Sequence, residues 1–236
     1  RGRLALLAGG FIGRFGYGLS ARPVLLGGNL LDLSLDGSGY GWRAGIGYEI
    51  PDIAFRAQLL YRSGVGHDVS GSAVGPWGVL PATASGELPQ SLEMKLQSGI
   101  APGWLAFGSV KWTDWSVNER FIVDVSGLLT AENQYLWRDS WTVTAGIGHV
   151  FTPGISGAVS LQWDRGVSTG YDFRTEKWLL AGGVSLADSH GGELRLGGGV
   201  SYLTSAEIDR PDAANFGAAV DAGWAGVVTA SYSVRW

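Results

Sequence analysis

Three histidines, His67, His149 and His190, are the residues of this chain best suited to acid–base chemistry. His149 shares the phase of apolar residues near a predicted turn, and His190 falls within a short predicted turn. His67 precedes Asp68 at the outer end of a predicted strand, where an Asp/His pair could activate a nucleophile. No second acidic pair faces it, which favours a solvated strand end. We therefore expect no catalytic residue and no enzyme activity.

Candidate metal and phosphate sites are equally weak. Asp32 and Asp36 bracket an alternating leucine segment, but the spacing of a calcium loop is absent. Glycine-rich segments at Gly45-x-Gly47 and at 197–199 lie inside predicted strands with no helix after them. That context favours close packing or a bulge over phosphate binding. The sequence predicts neither a metal nor a cofactor.

Composition excludes several classes of protein. The 236 residues include 39 Gly and no Cys, 11% are aromatic, and 16% are charged, well below the usual quarter. The glycines follow no three-residue period, which excludes collagen, and a disulfide scaffold is impossible. The longest nearly continuous apolar run, 4–12, is roughly half of what a helix needs to cross a bilayer. A net charge of −4 with scattered Lys and Arg argues against a nucleic-acid partner.

Alternation of apolar and polar residues recurs along the chain and predicts an all-β fold. In the last strand Tyr232 and Trp236 share an apolar face, with serine and threonine on the other face. The first strand is less regular, with Phe11, Phe15 and Tyr17 in one phase. Ten strands are predicted, at about 4–19, 42–50, 53–62, 92–97, 104–115, 141–148, 155–164, 178–186, 193–202 and 228–236.

Aromatic residues near the ends of the apolar faces indicate a membrane protein. They are Trp42, Tyr48, Tyr61, Trp104, Trp112, Trp141, Trp163, Trp178, Tyr202 and Trp236. Such positions match the two aromatic girdles of a transmembrane barrel, whose apolar face contacts lipid. Arg43, Arg56 and Arg195 lie on the polar face, which cannot face lipid because a basic residue at the bilayer midplane costs roughly 2–4 kcal/mol. We expect the polar-face charges to pair across strands. The prediction is a transmembrane antiparallel up-and-down β-barrel formed by residues 1–236 as one domain.

The connections alternate without exception between short turns and long segments. The short turns lie near 51–52, 101–103, 153–154 and 187–192, and the long segments cover 20–39, 64–90, 116–139, 165–177 and 203–223. Barrels of the bacterial outer membrane have short periplasmic turns and long external loops. A soluble ten-stranded sandwich has no reason to sort its loops in this way. The alternation therefore predicts an outer-membrane location, with the long segments outside.

Six motifs, taken in order, resemble the long-chain fatty acid outer-membrane transporter family of the FadL/TodX type. They are Gly41-Trp42-Arg43-Ala44-Gly45-Ile46-Gly47-Tyr48-Glu49-Ile50, Tyr61-Arg62-Ser63, Leu88-Pro89, Trp104, Thr113-Asp114-Trp115-Ser116 and Trp178-Leu179-Leu180-Ala181-Gly182. The resemblance implies a fourteen-stranded barrel, plugged by an N-terminal hatch, that passes hydrophobic molecules through a kinked strand. The ten predicted strands match the C-terminal part of that barrel. The hatch and the first strands have no counterpart in this sequence, so we expect a fragment with two open edges.

Apolar residues in the long segments indicate either a hydrophobic capture groove or a packed lid. The predicted ligand-binding residues there are Trp77, Val79, Leu80, Phe121 and Ile122. Arg22 resembles the position where the family places a basic residue near a carboxylate, whereas the family's second basic position falls near Asn133. The resemblance thus implies passive uptake of long-chain fatty acids or of other hydrophobic compounds such as aromatic hydrocarbons. A barrel enzyme of the protease or lipase class and a polar-solute porin are the alternatives.

The expected partners are these hydrophobic small molecules and the lipid of the bacterial outer membrane. The barrel-assembly machinery is a further expected partner, because it reads the last strand of such barrels, which here ends in Trp236. A protease-accessible tag tests the predicted sidedness. A tag inserted after Gly75 should be cleaved on intact cells, and one after Asp188 should be cleaved only after the outer membrane is opened. The reverse pattern would overturn the assignment of the long segments to the outside.

Overall fold

The computed structural model describes residues 2–22, 27–188, 191–213 and 215–234, and it is built almost entirely of β-strands. The strands are β1 (Arg3–Ala21), β2 (Leu31–Ile50), β3 (Phe55–Arg62), β4 (Val65–Gly75), β5 (Gly78–Leu88), β6 (Ser91–Ala101), β7 (Trp104–Thr113), β8 (Arg120–Val125), β9 (Leu129–Gln134), β10 (Ser140–Thr152), β11 (Ile155–Asp164), β12 (Lys177–Ala187), β13 (Gly192–Leu203), β14 (Ala206–Glu207), β15 (Ala219–Val220) and β16 (Gly223–Val234). Short 3-10 turns cover Pro51–Ile53 and Trp115–Val117. None of the described segments is a helix long and apolar enough to cross a membrane.

Ten of these strands pair with their neighbours in one antiparallel sheet. Their order is β1, β2, β3, β6, β7, β10, β11, β12, β13 and β16. They correspond to the ten predicted strands, so the predicted all-β fold is confirmed. Within the described part of the chain β1 pairs only with β2, and β16 only with β13, so this set of ten strands has two open edges. Trp236, which was predicted to belong to an aromatic girdle and to be read by the barrel-assembly machinery, lies outside the described residues.

The strand register gathers the aromatic residues of the apolar face into a belt. Trp112 lies opposite Trp141, and Trp178 lies opposite both Trp163 and Tyr202. At the other ends of the strands, Trp104 and His149 stack with their ring centroids 4.2 Å apart. Trp42 and Tyr61 continue the first belt, as does Trp224, which lies opposite Tyr202 and was not among the predicted belt residues, and Tyr48 lies at the opposite ends of the strands. The apolar side chains between the two belts are exposed, as expected of a surface that contacts lipid.

The polar face of the same sheet carries ion pairs. Arg56 pairs with Glu49, Lys95 with Glu93 at 3.2 Å, and Arg195 with Glu193 at 2.8 Å. The first pair joins β2 to β3, as expected for charges pairing across strands. The other two join residues two apart on one strand, whose side chains lie on the same face. The expectation of cross-strand pairing is therefore right for the first pair and wrong for the other two.

Three of the segments predicted to be long loops contain strands that join this sheet, and a fourth, 203–223, contains the separate β14–β15 pair. The 20–39 segment includes the start of β2, the 64–90 segment is the β4–β5 hairpin, and the 116–139 segment contains the β8–β9 hairpin. These strands extend the sheet in the order β2, β4, β5, β8, β9. In β4 and β5 the alternation is carried largely by Gly, Ala, Ser and Val, which give a weak signal, whereas the alternating leucines of 31–35 are plain in the sequence. We call residues 31–39 of β2 together with β4, β5, β8 and β9 the outer β layer.

The outer β layer encloses the main hydrophobic core of the described residues. Its buried members are Leu31, Leu33, Leu35, Val69, Ala73, Ala82, Ala84, Val123 and Val125. Tyr17 of β1 contacts Phe121 of β8, with ring centroids 5.0 Å apart, although β2, β4 and β5 lie between them in the sheet. The layer must therefore curl so that β1 and β8 face each other across the core.

Strand β1 carries apolar side chains on both of its faces, unlike a strand whose apolar residues all face lipid. Leu6 and Ile12 are exposed on one face, whereas Phe15 and Tyr17 pack against the core on the other. Phe11 lies on that second face too, because the Arg62 guanidinium of the polar face sits 4.5 Å from its ring centroid. Phe11, Phe15 and Tyr17 share a phase, as predicted, but it is the inward phase.

A bare strip on β2, formed by glycines that have no side chains, allows β4 to lie against it. Gly37, Gly39 and Gly41 point to one face, and a Cβ placed on Gly39 would lie 2.5 Å from the Gly66 carbonyl oxygen and 2.9 Å from Cε1 of His67. Real Cβ atoms do not approach backbone so closely. The absence of side chains on this strip is therefore what lets the first half of β4 pack over the inner face of β2.

We predict that Gly39→Ala destabilises the folded protein by about 1–3 kcal/mol, because it overpacks this contact. The measurement is the temperature at which the folded protein loses its heat-modifiable migration in gel electrophoresis. Gly66→Ala is the matched control, since a Cβ at Gly66 meets nothing within 4 Å. Equal melting temperatures for the two variants would show that β4 does not need the bare strip.

Candidate functional site

A cavity of about 210 Å³ lies where the outer β layer meets the rest of the sheet. Its wall is formed by Phe15, Tyr17, His67, Gly86, Glu87, Leu88, Trp115, Asn118, Phe121 and Tyr135. These residues come from β1, β4, β5, β8, the 3-10 turn after β7 and the segment after β9. Five of the ten are aromatic, and the volume is below the roughly 300 Å³ at which pockets for drug-sized ligands begin. The site is therefore suited to an apolar ring or a short apolar chain.

His67 is buried in the wall of this cavity and is only 4% exposed. It alternates with Val65 and Val69 on the buried face of β4, and its ring stacks on Phe15 with centroids 5.5 Å apart. The interpretation of His67 as a solvated strand end was therefore wrong. Asp68 lies on the exposed face of β4, because neighbouring residues of a strand point to opposite sides. The two do not form an Asp/His pair.

Polar atoms without partners are buried beside the cavity. Neither Nδ1 nor Nε2 of His67 has a hydrogen-bond partner, and the same is true of Nδ2 of Asn118. A buried donor or acceptor left unpaired costs about 1–3 kcal/mol, so such groups in a folded protein call for an explanation. Together with Glu87 they are the polar features of a largely apolar wall.

Hydrogen bonds to Asp114 fix the turn that carries Trp115 and Asn118. Gln90 donates to Oδ2 of Asp114 at 2.9 Å, and Ser116 donates to Oδ1 at 2.7 Å. The Gln90 side chain accepts from Tyr61 at 2.6 Å. The hydrogen bonds from Gln90 and then Ser116 lower the pKa of Asp114 below its ordinary value. The Asp-Trp-Ser motif is thus the support for one wall of the cavity.

A second cavity of about 770 Å³ adjoins the first and shares Trp115 with it. Trp137 forms part of its wall and packs edge-on against Trp115, with centroids 5.3 Å apart. Trp137 also donates to Asp172 at 2.7 Å, and the Arg174 guanidinium lies 4.4 Å from its ring centroid. Trp115, which lines both spaces, therefore lies between a small aromatic cavity and a larger one with Asp164, Arg174 and Lys177 in its wall.

The residues predicted to bind ligand fall into three environments. Trp77, Leu80 and Phe121 pack against the core of the outer β layer, and Phe121 also lines the small cavity. Val79 and Ile122 are 69% and 41% exposed on the other face of the layer. Arg22 is exposed at the end of β1, and its side chain donates to the Gly28 carbonyl at 3.4 Å.

Most of the cavity wall was missed by the sequence reasoning. The signal for His67 was present in the alternation Val65, His67, Val69, which places the histidine on an apolar strand face. The signal for the packing beneath it was the Gly37-Ser38-Gly39-Tyr40-Gly41 run. Asn118 follows a 3-10 turn and Tyr135 follows the end of β9, where no periodicity could point to them.

The fold and the site together define a class of protein. A sheet with an exposed apolar face between two aromatic belts, carrying a hydrophobic cavity at its outer end, belongs to a β-barrel of the outer membrane. Residues 4–155, more than half of the chain, match the family model described as outer membrane protein transport protein (OMPP1/FadL/TodX). The chain belongs to this family of the bacterial outer membrane.

Solved structures share the fold. A Pseudomonas aeruginosa FadL homologue matches with a TM-score of 0.71 at 15% identity, over 97% of this chain and 62% of its own. The Pseudomonas putida toluene transporter TodX matches with a TM-score of 0.61 at 14% identity, over 99% and 66%. The Ralstonia pickettii toluene transporter TbuX matches with a TM-score of 0.61 at 16% identity, over 97% and 63%. This chain thus spans about two thirds of the length of these proteins.

Comparison with curated protein sequences gives no match. Across the described ranges, no group of three His, Cys, Asp or Glu is arranged to hold a metal ion.

We predict that Asp114→Asn lowers the melting temperature of the detergent-solubilised protein at pH 7. Because the folded protein lowers the pKa of Asp114, the carboxylate stabilises the fold above its ordinary pKa of 3.8. That contribution is lost as the pH falls through the lowered folded value. The gap between wild type and variant should therefore narrow as the pH is lowered below 3.8. Asp32→Asn, at an exposed position of β2, is the control. A gap that is independent of pH would show that the charge of Asp114 is not what stabilises the turn.

Proposed function

We propose that the protein carries small hydrophobic compounds passively across the outer membrane. The observation that carries the proposal is the aromatic cavity between the outer β layer and the polar face of the sheet. Membership of the OMPP1/FadL/TodX family supports it, since the family is one of transport proteins. The proposed activity needs binding and release, and it involves no covalent step.

The proposed route uses the two cavities in sequence. A compound captured outside would enter the aromatic cavity and pass Trp115 into the larger cavity beside it. Trp115 sits on a single 3-10 turn held by the Asp114 hydrogen bonds, so a small movement of that turn would join the two spaces. The larger wall carries Asp164, Arg174 and Lys177, which favours onward passage of an apolar compound over its retention.

Charge favours neutral substrates at the aromatic cavity. None of the residues lining it is Lys or Arg, whereas Glu87 is among them. A fatty-acid carboxylate would therefore meet no basic partner there. Arg22 lies outside this wall, at the exposed end of β1, and could meet such a headgroup only at an earlier stage. The toluene transporters TodX and TbuX share this fold, which supports a neutral aromatic substrate.

The predicted capture residues fit into this proposal in two groups. Phe121 would contact the compound in the cavity, and Trp77 and Leu80 would hold the layer around it. Val79 and Ile122 are exposed on the outer side, where they would offer an apolar surface for first contact. A fully buried apolar side chain contributes about 1.5–3 kcal/mol, which sets the scale of the effect expected from Phe121.

Uptake by cells that express the full-length protein tests the proposal. Phe121→Ala should reduce the initial uptake of labelled toluene at least tenfold, in line with the loss of about 1.5 kcal/mol or more of apolar contact. Leu128→Ala, at an exposed position in the β8–β9 turn, is the matched control and should leave uptake unchanged. Both variants must be present as folded protein in the outer-membrane fraction for the comparison to count.

A second comparison separates the two substrate classes. Arg22→Ala should leave toluene uptake unchanged and should reduce only the uptake of a long-chain fatty acid, if that acid is carried at all. The proposal fails if expression of the folded protein raises the uptake of neither compound above that of cells lacking it. Equal stimulation of a polar sugar would instead favour the porin alternative.

A further inference from the structure

His67 is a buried polar residue in the wall of the aromatic cavity. Its imidazole is 96% covered, stacks on Phe15, and finds no partner for either ring nitrogen. A neutral imidazole carries one N–H donor and one acceptor nitrogen, so the ring can both give and receive a hydrogen bond. Phenylalanine would fill the same space without any unpaired polar atom. A histidine here is therefore explained by a polar group that arrives with the ligand.

Asn118 adds a second unpaired group to the same wall. Its Nδ2 is buried without a hydrogen-bond partner, and the residue lies on the turn that carries Trp115. An amide nitrogen is a donor only, so it calls for an acceptor on the ligand. A hydroxyl group matches both sites, because it can donate to the imidazole acceptor and accept from the amide. A hydrocarbon offers neither, and it would leave both groups unpaired.

The size and charge of the cavity narrow the ligand further. About 210 Å³ between aromatic side chains accommodates a single ring and is small for a long acyl chain. Glu87 and the lack of Lys and Arg in the wall disfavour a carboxylate. A phenol is neutral at pH 7, because a phenolic hydroxyl has a pKa of about 10.

We propose that this cavity selects a monocyclic aromatic compound bearing a hydroxyl group, a phenol, over the hydrocarbon of the same shape. The inference rests on the proposed function, since it names the substrate class of that cavity. The ring stacks among Phe15, Tyr17 and Phe121 while its hydroxyl bonds to His67 and Asn118. The nitrogens are covered, so binding of the hydroxyl requires the wall around them to rearrange.

Fluorine NMR titration of the full-length protein in detergent measures this preference directly. The probes are 4-fluorophenol, 4-fluorotoluene and 4-fluorobenzoate, with titrations of empty micelles subtracted. Because a site built to hydrogen-bond a hydroxyl rejects the analogue lacking it, 4-fluorophenol should bind at least about tenfold more tightly than 4-fluorotoluene. The benzoate should bind more weakly than the phenol.

Two variants attribute the preference to the named groups. His67→Phe keeps an aromatic ring and removes both nitrogens, so it should bring the two affinities to within about threefold without weakening 4-fluorotoluene. Asn118→Leu keeps a similar shape, removes the amide, and should reduce the preference in the same direction; it carries the test if His67→Phe does not fold. His149→Phe, at the far end of β10, is the control and should retain the full preference.

Several outcomes would overturn the inference. They are equal affinity of the wild type for the phenol and the toluene, a preference that survives in both folded variants, and tightest binding of the benzoate. If 4-fluorotoluene binds and toluene uptake depends on Phe121 in these cases, the proposed transport function stands and only the phenol selectivity fails. If no probe binds and expression stimulates no uptake, both proposals fail.

Discussion

The backbone of a strand that crosses lipid must find all its hydrogen bonds in other strands, because hydrocarbon offers none. This constraint sets the ten-stranded antiparallel sheet, and with it the register of every crossing strand. Once the register is set, side chains alternate between lipid and interior with a period of two residues. The tryptophans of neighbouring strands then lie side by side, as Trp163 and Trp178 do. These neighbouring aromatic residues form the belts. The same constraint makes the outer edges of β1 and β16 the positions where further strands would pair.

The strands β1 and β2 continue beyond the outer belt. There the apolar face points to the interior and the polar face points outward, the reverse of their arrangement below the belt. Below the belt Leu6 of β1 faces outward and the interior is polar. Above it Phe15 and Tyr17 face inward to an apolar core, while Arg14 and Asp36 form an exposed ion pair at 2.8 Å on the outside. Water outside the membrane and lipid within it demand opposite patterns. A strand that passes from lipid into water must therefore move its apolar residues from the outward face to the inward face.

This exchange of faces explains what could be predicted from the sequence and what could not. The crossing strands were predictable because lipid-facing positions carry large residues such as Trp141 and Leu161, which make the alternation plain. The outer strands alternate equally well, but with residues such as Ala73 and Ala82 on the buried face, and small residues give a weak signal. His67 could be placed on a strand end but not in a core, because its burial depends on β4 folding over β2, a contact between segments distant in sequence.

The cavity lies at the level where the faces are exchanged, and this position follows from packing. Above it the interior is filled by side chains of the outer β layer, and below it the interior carries charges such as Arg62. The glycines of β2 give β4 room to enter, yet apolar packing cannot continue into a charged interior. A space walled by aromatic rings and edged by unpaired polar atoms is the natural result at such a boundary. A compound with an apolar ring and one small polar group would contact both the aromatic rings and the unpaired polar atoms, whereas a pure hydrocarbon would contact only the rings.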